Sequence, residues 1–441
     1  MQKRTLTAWK ATIAVAMSNY IEAGAIIALA TSLTLWQGEF GFDDGAVGLV
    51  AALSANAFGA AIGAAIGGPL CDRLGRKFIY TYDLIVFMIG ALMVTFSPNF
   101  AVLLIGVVLM GIAVGAGVPA SWTYIAEEAP SEQRAAHVGT AQLAWSIGPA
   151  IGFLLAVVLG PLGIVGSRII FFHLFVIAAV TWWVRRGLPE SARWKAQRET
   201  AQEQGEKVSL FSGIRGLLSD RRNLGALLFL LGVYGLWNTV AGQAGIFQPR
   251  VYDAAGLHDA TQQNLLQVLV WTLTAAATYF GFMRFGDRVS RRWLYFGGAL
   301  LGVIAWVVLV FAPPGLASLL FFAIAWGISA GIGAQAFYGL WTAELFATKY
   351  RASAQGMLFM LARVMVGLLS LVFPVLLTSW GLPQLGMLII GLLIAALLIG
   401  TIWAPRTEGK SLEQIERERY GERVDAISSD TISASTKDSS S

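Results

Sequence analysis

Gly68-Pro69-Leu70-Cys71-Asp72-Arg73-Leu74-Gly75-Arg76-Lys77 closes a long apolar run. A related phrase, Asp287-Arg288-Val289-Ser290-Arg291-Arg292, closes another run 215 positions later. Ala126-Glu127 with Arg134 returns as Ala343-Glu344 with Arg351, at an offset of 217. Two separate matches at nearly one period imply a duplicated unit of roughly 215 residues. In a membrane protein, two packed repeats with a site between them are the plan of a secondary transporter.

The membrane assignment rests on composition and run length. The chain is 56% hydrophobic and 13% charged, with a mean hydropathy of +0.66; soluble domains carry about 25% charged residues. Apolar runs of about 20 residues suffice to cross ~30 Å of hydrocarbon. Twelve are legible, at about 11–36, 46–70, 78–97, 101–124, 136–160, 167–184, 223–247, 262–283, 293–312, 316–342, 352–378 and 383–403. The first is too long and interrupted for a cleaved signal peptide. All but Arg168, Arg250 and Arg363 of the 31 lysines and arginines fall in the termini and the even-numbered connections. By the positive-inside rule both termini are cytoplasmic, in a multi-pass protein of the inner or plasma membrane. The net charge of +5 reflects that bias, and its spread over many connections gives no footprint for nucleic acid.

An all-α membrane fold with four parts is therefore expected. Residues 1–184 form one six-helix bundle and 223–403 the other. Residues 185–222 form a linker loop, partly helical on the membrane surface. Residues 404–441 form a tail, helical from Ser411 to Arg423 and disordered from Ser428. One cysteine, Cys71, excludes an intrachain disulfide, and three histidines in no cluster give zinc nothing to bind. No nucleophile–base set and no phosphate-binding loop points to an enzyme or a cofactor. A central site between the halves needs no second subunit, so a monomer is expected.

The quoted phrases resemble the signatures of the major facilitator superfamily, and of its sugar-porter and metabolite–proton symporter branch. GxxxDRxGRK after span two is the family's signature. Tyr124-Ile-Ala-Glu127-Glu-Ala-Pro130 with Arg134, Leu188-Pro-Glu190-Ser-Ala-Arg193-Trp194, Ala343-Glu344-Leu-Phe with Arg351, and Thr407-Glu-Gly-Lys-Ser411-Leu-Glu413 resemble its phrases after spans four, six, ten and twelve. The resemblance implies two pseudo-symmetric six-helix bundles and alternating access to a central site. It departs in two places. Leu236-Trp237 stand where sugar porters carry paired glutamines, and Val107 stands near the span-four arginine of proton-coupled members. Gln142 matches a sugar-contacting glutamine.

The repeated phrases read as gates. Gly68 lets helices approach closely, and Gly75 permits a sharp turn. Asp72 needs a partner, either the basic cluster or the positive N-terminus of a helix from the other repeat. Gly68, Asp72, Arg73, Gly75, Arg76, Lys77, Glu127 and Arg134 form the first gating set, with Asp287, Arg288, Glu344 and Arg351 as the second. Met283 and Ser290 replace the glycines of the second copy, so the first copy is expected to be the working latch.

Two charges lie about 16 Å inside the bilayer at 1.5 Å per residue, Glu22 in span one and Arg363 in span eleven. A carboxylate there costs several kcal/mol unless it is protonated, paired or wet, which suits proton coupling. Arg363 cannot neutralise itself and must face a partner or a cavity. It either pairs with Glu22, replacing the missing span-four arginine, or binds an anionic substrate. Asp83 is expected to support the latch, and His137 and His173 to act as local hydrogen-bonding groups. Asn19, Gln142, Trp145, Trp237, Asn238, Gln243, Gln335 and Tyr338 supply amides for hydroxyls and flat faces for a sugar ring. The reading is proton-coupled uptake of a sugar, polyol or sugar acid. Its rivals are proton-driven export of amphipathic compounds or drugs and, more remotely, a nutrient-sensing receptor.

Overall fold

The computed structural model describes residues 2–130, 133–203, 212–347 and 350–421. Among these the chain is helical with no strand. Eleven helical stretches are long and apolar enough to cross a membrane: Trp9–Phe40, Gly45–Leu74, Arg76–Thr95, Phe100–Glu128, Arg134–Leu162, Ile164–Arg185, Arg221–Ala254, Ala260–Phe285, Arg291–Phe311, Leu316–Leu345 and Arg351–Ile402. The last is two spans. Gly381 interrupts it at φ 72° and ψ 172°, a left-handed conformation that favours glycine, and Pro383 follows. Gly386 then packs on Val310 at the end of span nine, while the Tyr295 hydroxyl donates to the Ala396 carbonyl near that span's start, at 2.7 Å. The chain has therefore reversed, and the number of crossings is twelve. Several helices overrun the apolar windows of the sequence, span seven reaching from Arg221 to Ala254, because helical pairing continues past the hydrocarbon.

Three spans are broken where the centre needs backbone or side chains turned inward. Span two stops at Leu53 and restarts at Phe58. There the Ser54 hydroxyl donates to the Ala51 carbonyl and accepts the Asn56 amide, a local alternative to helix pairing. Span seven contains a π turn at Leu231–Gly235, and span ten breaks at Gly333.

The linker carries helices Ala192–Glu203 and Ser212–Ser219, and the tail carries Leu412–Tyr420. The tail helix starts on Ser411, whose hydroxyl accepts the Gln414 amide at 3.1 Å. The expected disorder from Ser428 lies outside the described residues. Large apolar side chains such as Phe96, Val180, Phe280 and Trp293 remain exposed, as a surface in contact with lipid requires.

The halves meet along two helix pairs, span two with span eleven and span five with span eight. At the first, a Cβ on Gly68 would stand 3.0 Å from the Ala352 carbonyl oxygen, and one on Gly356 3.0 Å from the Gly68 Cα. Backbone lies on backbone there. At the second, the Met283 side chain fills the space before Gly139.

Candidate functional site

Glu22 and Arg363 form an ion pair between the halves, both fully buried. The Arg363 Nη1 donates to the Asn56 carbonyl oxygen at 3.1 Å and more weakly to its side-chain oxygen at 3.4 Å. The Asn56 amide in turn donates to the Gly242 carbonyl of span seven at 3.0 Å. The Phe359 ring covers the guanidinium, 4.6 Å from its central carbon. Removing one partner of such a pair leaves an uncompensated buried charge, worth about 3–5 kcal/mol. Asn56 escaped the sequence reading. Its only signal was a polar Ser-Ala-Asn interruption in an apolar run.

Beside this pair lies a small cavity of about 10 Å³, room for roughly one water. Asn56, Trp145, Asn238, Trp271 and Arg363 supply its polar lining, and Ile26 and Pro149 are among its apolar walls. The Asn238 amide nitrogen, the Trp271 indole N–H and Arg363 Nε are buried without hydrogen-bond partners. Trp145 lies beside Glu22 without a well-formed hydrogen bond, and packs edge-on to Trp271 across the halves at 5.1 Å. Gln142, one turn before Trp145, is buried with both amide atoms unpartnered. Apart from the Gln142 oxygen these orphans are donors, which matches a ligand rich in acceptor oxygens.

Of the other residues expected at the site, Asn19, Gln243 and Trp237 are engaged within their own halves. Asn19 donates to the Ser121 hydroxyl at 3.1 Å and accepts the Trp122 indole at 2.6 Å, tying span one to span four. Gln243 donates to the Val366 carbonyl and accepts the Ser370 hydroxyl, tying span seven to span eleven. Trp237 stacks toward Trp326 of span ten at 6.3 Å, inside the second half. Gln335 is buried just after the Gly333 break. Tyr338 stacks on Tyr234 at 3.9 Å and approaches Trp122 of the first half at 6.1 Å. Its hydroxyl donates to the Gln355 carbonyl. Trp122 also lies against the Gly339 backbone. The bond to Gln355, about two turns before Arg363 in span eleven, places this aromatic layer on the basic-face side of the ion pair.

At that face two matching networks hold the halves together. Asp72 accepts the Ser353 amide at 2.9 Å and the Ser353 hydroxyl at 2.6 Å, at the start of span eleven. Asp287 accepts the Ala135 amide at 3.0 Å, at the start of span five. Each carboxylate thus sits on the positive end of a helix from the other half. Glu127 binds Arg76 of its own half at 2.7 Å and faces Arg351 of the other at 3.6 Å. Glu344 binds Arg291 of its own half at 2.8 Å and Arg134 of the other at 3.0 Å. Burial raises the Asp287 carboxyl above its ordinary value, although Arg291 beside it and the Ala135 amide pull it down.

Two further carboxylates complete the pattern; they stand in the phrases after spans six and twelve, but the sequence reading assigned them no gating role. Glu190 accepts the Arg76 and Lys77 amides at 3.0 and 2.9 Å, capping span three. Glu408 accepts the Arg291 amide at 3.0 Å, capping span nine. Gly75, at φ 99°, presents no Cβ to the Glu190 carboxylate. Ser290 turns at φ −58°, so the second copy needs no glycine there. Arg73 and Arg288 are exposed and Lys77 half-buried; they stand outside the buried networks.

Asp83 lies within the first half against Gly117, with Arg185 as the cation acting on it, rather than at the seam. His137 pairs with the Thr12 hydroxyl at 2.8 Å, and His173 with the Tyr20 hydroxyl at 3.0 Å. At the opposite face the halves part around a crevice of about 440 Å³, lined by residues such as Thr31, Ser167, Gln263 and Asn264.

The profile of the family described as "Sugar (and other) transporter" matches residues 24–418. The chain belongs to this family. Its arrangement is that of the major facilitator superfamily, twelve helices in two pseudo-symmetric six-helix bundles. It is an integral membrane transporter and not an enzyme. The chain is 42% identical over 413 residues to the minor myo-inositol transporter IolF of Bacillus subtilis (strain 168), covering 93% of this chain and 94% of that protein. It is 24% identical to the glucose transporter GlcP of Staphylococcus epidermidis, over 85% of this chain and 90% of that one. Among solved structures it resembles the proton:xylose symporter XylE bound to 6-bromo-6-deoxy-D-glucose. The TM-score is 0.75 at 20% identity, over 94% of this chain and 99% of that one.

Proposed function

We propose that this sugar-family transporter takes up a neutral, hydroxyl-rich molecule of cyclitol or hexose size, coupled to a proton. The observation that carries the reading is the buried Glu22–Arg363 pair beside a chamber lined with unpartnered donors. Hydroxyl oxygens accept from Asn238, Trp271 and Arg363 Nε, and Gln142 offers both a donor and an acceptor. The similarity to a myo-inositol transporter favours a cyclitol as the first substrate to try.

The coupling follows from charge. With Glu22 ionised, its carboxylate and Arg363 neutralise each other and draw spans one and eleven together around a chamber too small for a sugar. A proton on Glu22 removes the attraction and frees the Arg363 donors for the substrate. The loaded chamber then closes toward one face while the seams at the other separate. Residues 1–184 and 223–403 act as the two moving bodies, with 185–222 as their tether. The basic face, with both termini, is cytoplasmic by the positive-inside rule, and the membrane is the inner or plasma membrane. The site is complete in one chain, so the working unit is a monomer.

Uptake of labelled myo-inositol into proteoliposomes tests this. Accumulation should require an inward proton gradient and collapse with a protonophore. Glu22→Gln should abolish accumulation against a gradient while retaining exchange of substrate across the membrane. Accumulation undiminished in that variant overturns the role of Glu22. A panel of sugar acids separates the anionic alternative. Carboxylates that compete no better than their neutral counterparts keep the neutral reading, and stronger competition assigns an anionic substrate to the Arg363 freed by protonation. Substrate-driven proton efflux would instead assign export.

A further inference from the structure

A second large cavity lies at the basic face, away from the central chamber. It has a volume of about 540 Å³ and sits where span seven begins, span twelve ends and the tail helix folds back. Three arginines border it, Arg221, Arg222 and Arg419. The tail is fixed there by a reciprocal pair of bonds: Arg222 Nη1 donates to the Arg419 carbonyl and Arg419 Nη2 to the Arg222 carbonyl, both at 2.7 Å. Tyr420 adds bonds to the Asn223 side chain and the Leu345 carbonyl. The guanidinium groups of Arg222 and Arg419 therefore meet backbone carbonyls in this pair of bonds, not carboxylates. Arg419 Nε is buried without a partner. The nearby Asp220 carboxylate is engaged in capping span seven through the Arg222 amide.

The rest of the cavity is apolar. Leu228, Phe229, Ile399 and Trp403 line it. Leu228 and Trp403 are 67% and 64% exposed, so the apolar part is open on the lipid-facing surface. From Arg221 to Leu228 the helix descends about 10 Å, the step from headgroup level to acyl chains. Trp403 stands at the helix end, where an amphipathic ring suits the interface. Charge at the top and an apolar slot beneath match one ligand shape. A free phosphate would satisfy the arginines and leave the slot wet. A neutral lipid would fill the slot and leave the charges unmatched.

We propose that this cavity binds an anionic phospholipid, its phosphate held by Arg221, Arg222 and Arg419 and an acyl chain lying along Leu228 and Phe229. A lipid seated there joins span seven, span twelve and the tail helix. It is distinct from the transported substrate's site.

Native mass spectrometry of the purified full chain, with phosphatidylglycerol and phosphatidylcholine supplied in equal amounts, tests the proposal. The wild type should retain phosphatidylglycerol preferentially. Arg221→Gln, Arg222→Gln and Arg419→Gln together should weaken that retention by roughly a hundredfold, the scale for three basic residues at an anionic surface. Arg73→Gln, an exposed arginine elsewhere on the same face, should leave it unchanged. Leu228→Asp should also lower phosphatidylglycerol retention, with the arginines intact. Thermal melting of each variant without lipid identifies misfolding, and if the triple variant misfolds, the Leu228→Asp result decides. Equal retention of both lipids by the wild type overturns the proposal. So does undiminished retention in the folded variants, or stabilisation by inorganic phosphate equal to that by the lipid.

Discussion

The two seams of the basic face are built to one plan and differ in tightness. Both place an aspartate on the opposing helix end and a glutamate between two arginines. Gly68 and Gly356 let spans two and eleven touch through backbone, whereas Met283 stands in front of Gly139 at the other seam. Asp72 gains a hydroxyl from Ser353 as well as an amide, while Asp287 is held through the Ala135 amide. Matching charges therefore set which helices meet, and small residues set how closely. A flexible methionine tolerates sliding that a backbone contact does not.

The difference can be broken at several places, and Cys71 reports each outcome. It is the chain's one cysteine and is fully buried, packed with Ile79, Ala120 and Ala352 at the tight seam. Its rate of alkylation by N-ethylmaleimide measures how often that seam opens. Gly68→Leu should have the largest effect, raising alkylation and lowering uptake by more than about fiftyfold, because the backbone contact cannot yield. Met283→Leu should change both by less than about threefold. Asp72→Asn comes next: losing the charge on the helix end and weakening the two bonds from Ser353, which the amide oxygen can still accept, should cost about 2 kcal/mol of closure, roughly thirtyfold in opening. Asp287→Asn should cost less than about 1 kcal/mol, because burial already opposes its charge in the closed form, and an effect equal to that of Asp72→Asn would show that the hydroxyl contributes nothing. Ser353→Ala should raise alkylation about fivefold, corresponding to about 1 kcal/mol for one hydrogen bond.

The smallest effect concerns pH. Burial lifts the Asp287 carboxyl in the closed form, so the closed form holds a proton more tightly than an open form with Asp287 hydrated. Acidification through the range between the ordinary and the lifted value therefore favours closure, and the gain is lost as pH rises above that range. Alkylation of Cys71, taken relative to that of a free thiol at the same pH because the thiolate is the reacting form, should slow slightly on acidification in the wild type. Asp287→Asn should flatten that dependence.

Much of this architecture was legible because a duplication writes itself twice. The phrases at an offset of 215 to 217 mark helix ends that face each other, and the depth of Glu22 and Arg363 brought them to one level. Of the two readings open for Arg363, the structure places it against Glu22. What the sequence could not express was side-chain direction inside a helix that is apolar all round. Asn19, Trp237 and Gln243 sit at suitable depth but turn into their own bundles. Asn56 reaches the centre only because span two breaks, and the break is made by serine and alanine without proline or glycine at the interrupted residues. Ser290 looked like a weakened turn, yet its negative φ shows that the second copy follows another backbone path.

The seams also record how such a chain differs from a pair of identical halves. Each half carries the aspartate that caps its neighbour's helix and the helix end that receives its neighbour's aspartate. That is the self-complementary surface of a two-fold dimer. In a true dimer both seams would be the same by symmetry, and tightening one would tighten the other. Fusion into one chain removes that constraint. Gly68 could stay while its counterpart became Met283, and Ser353 could arise where the other half keeps Ala136, so the two sides of one gate carry different stiffness.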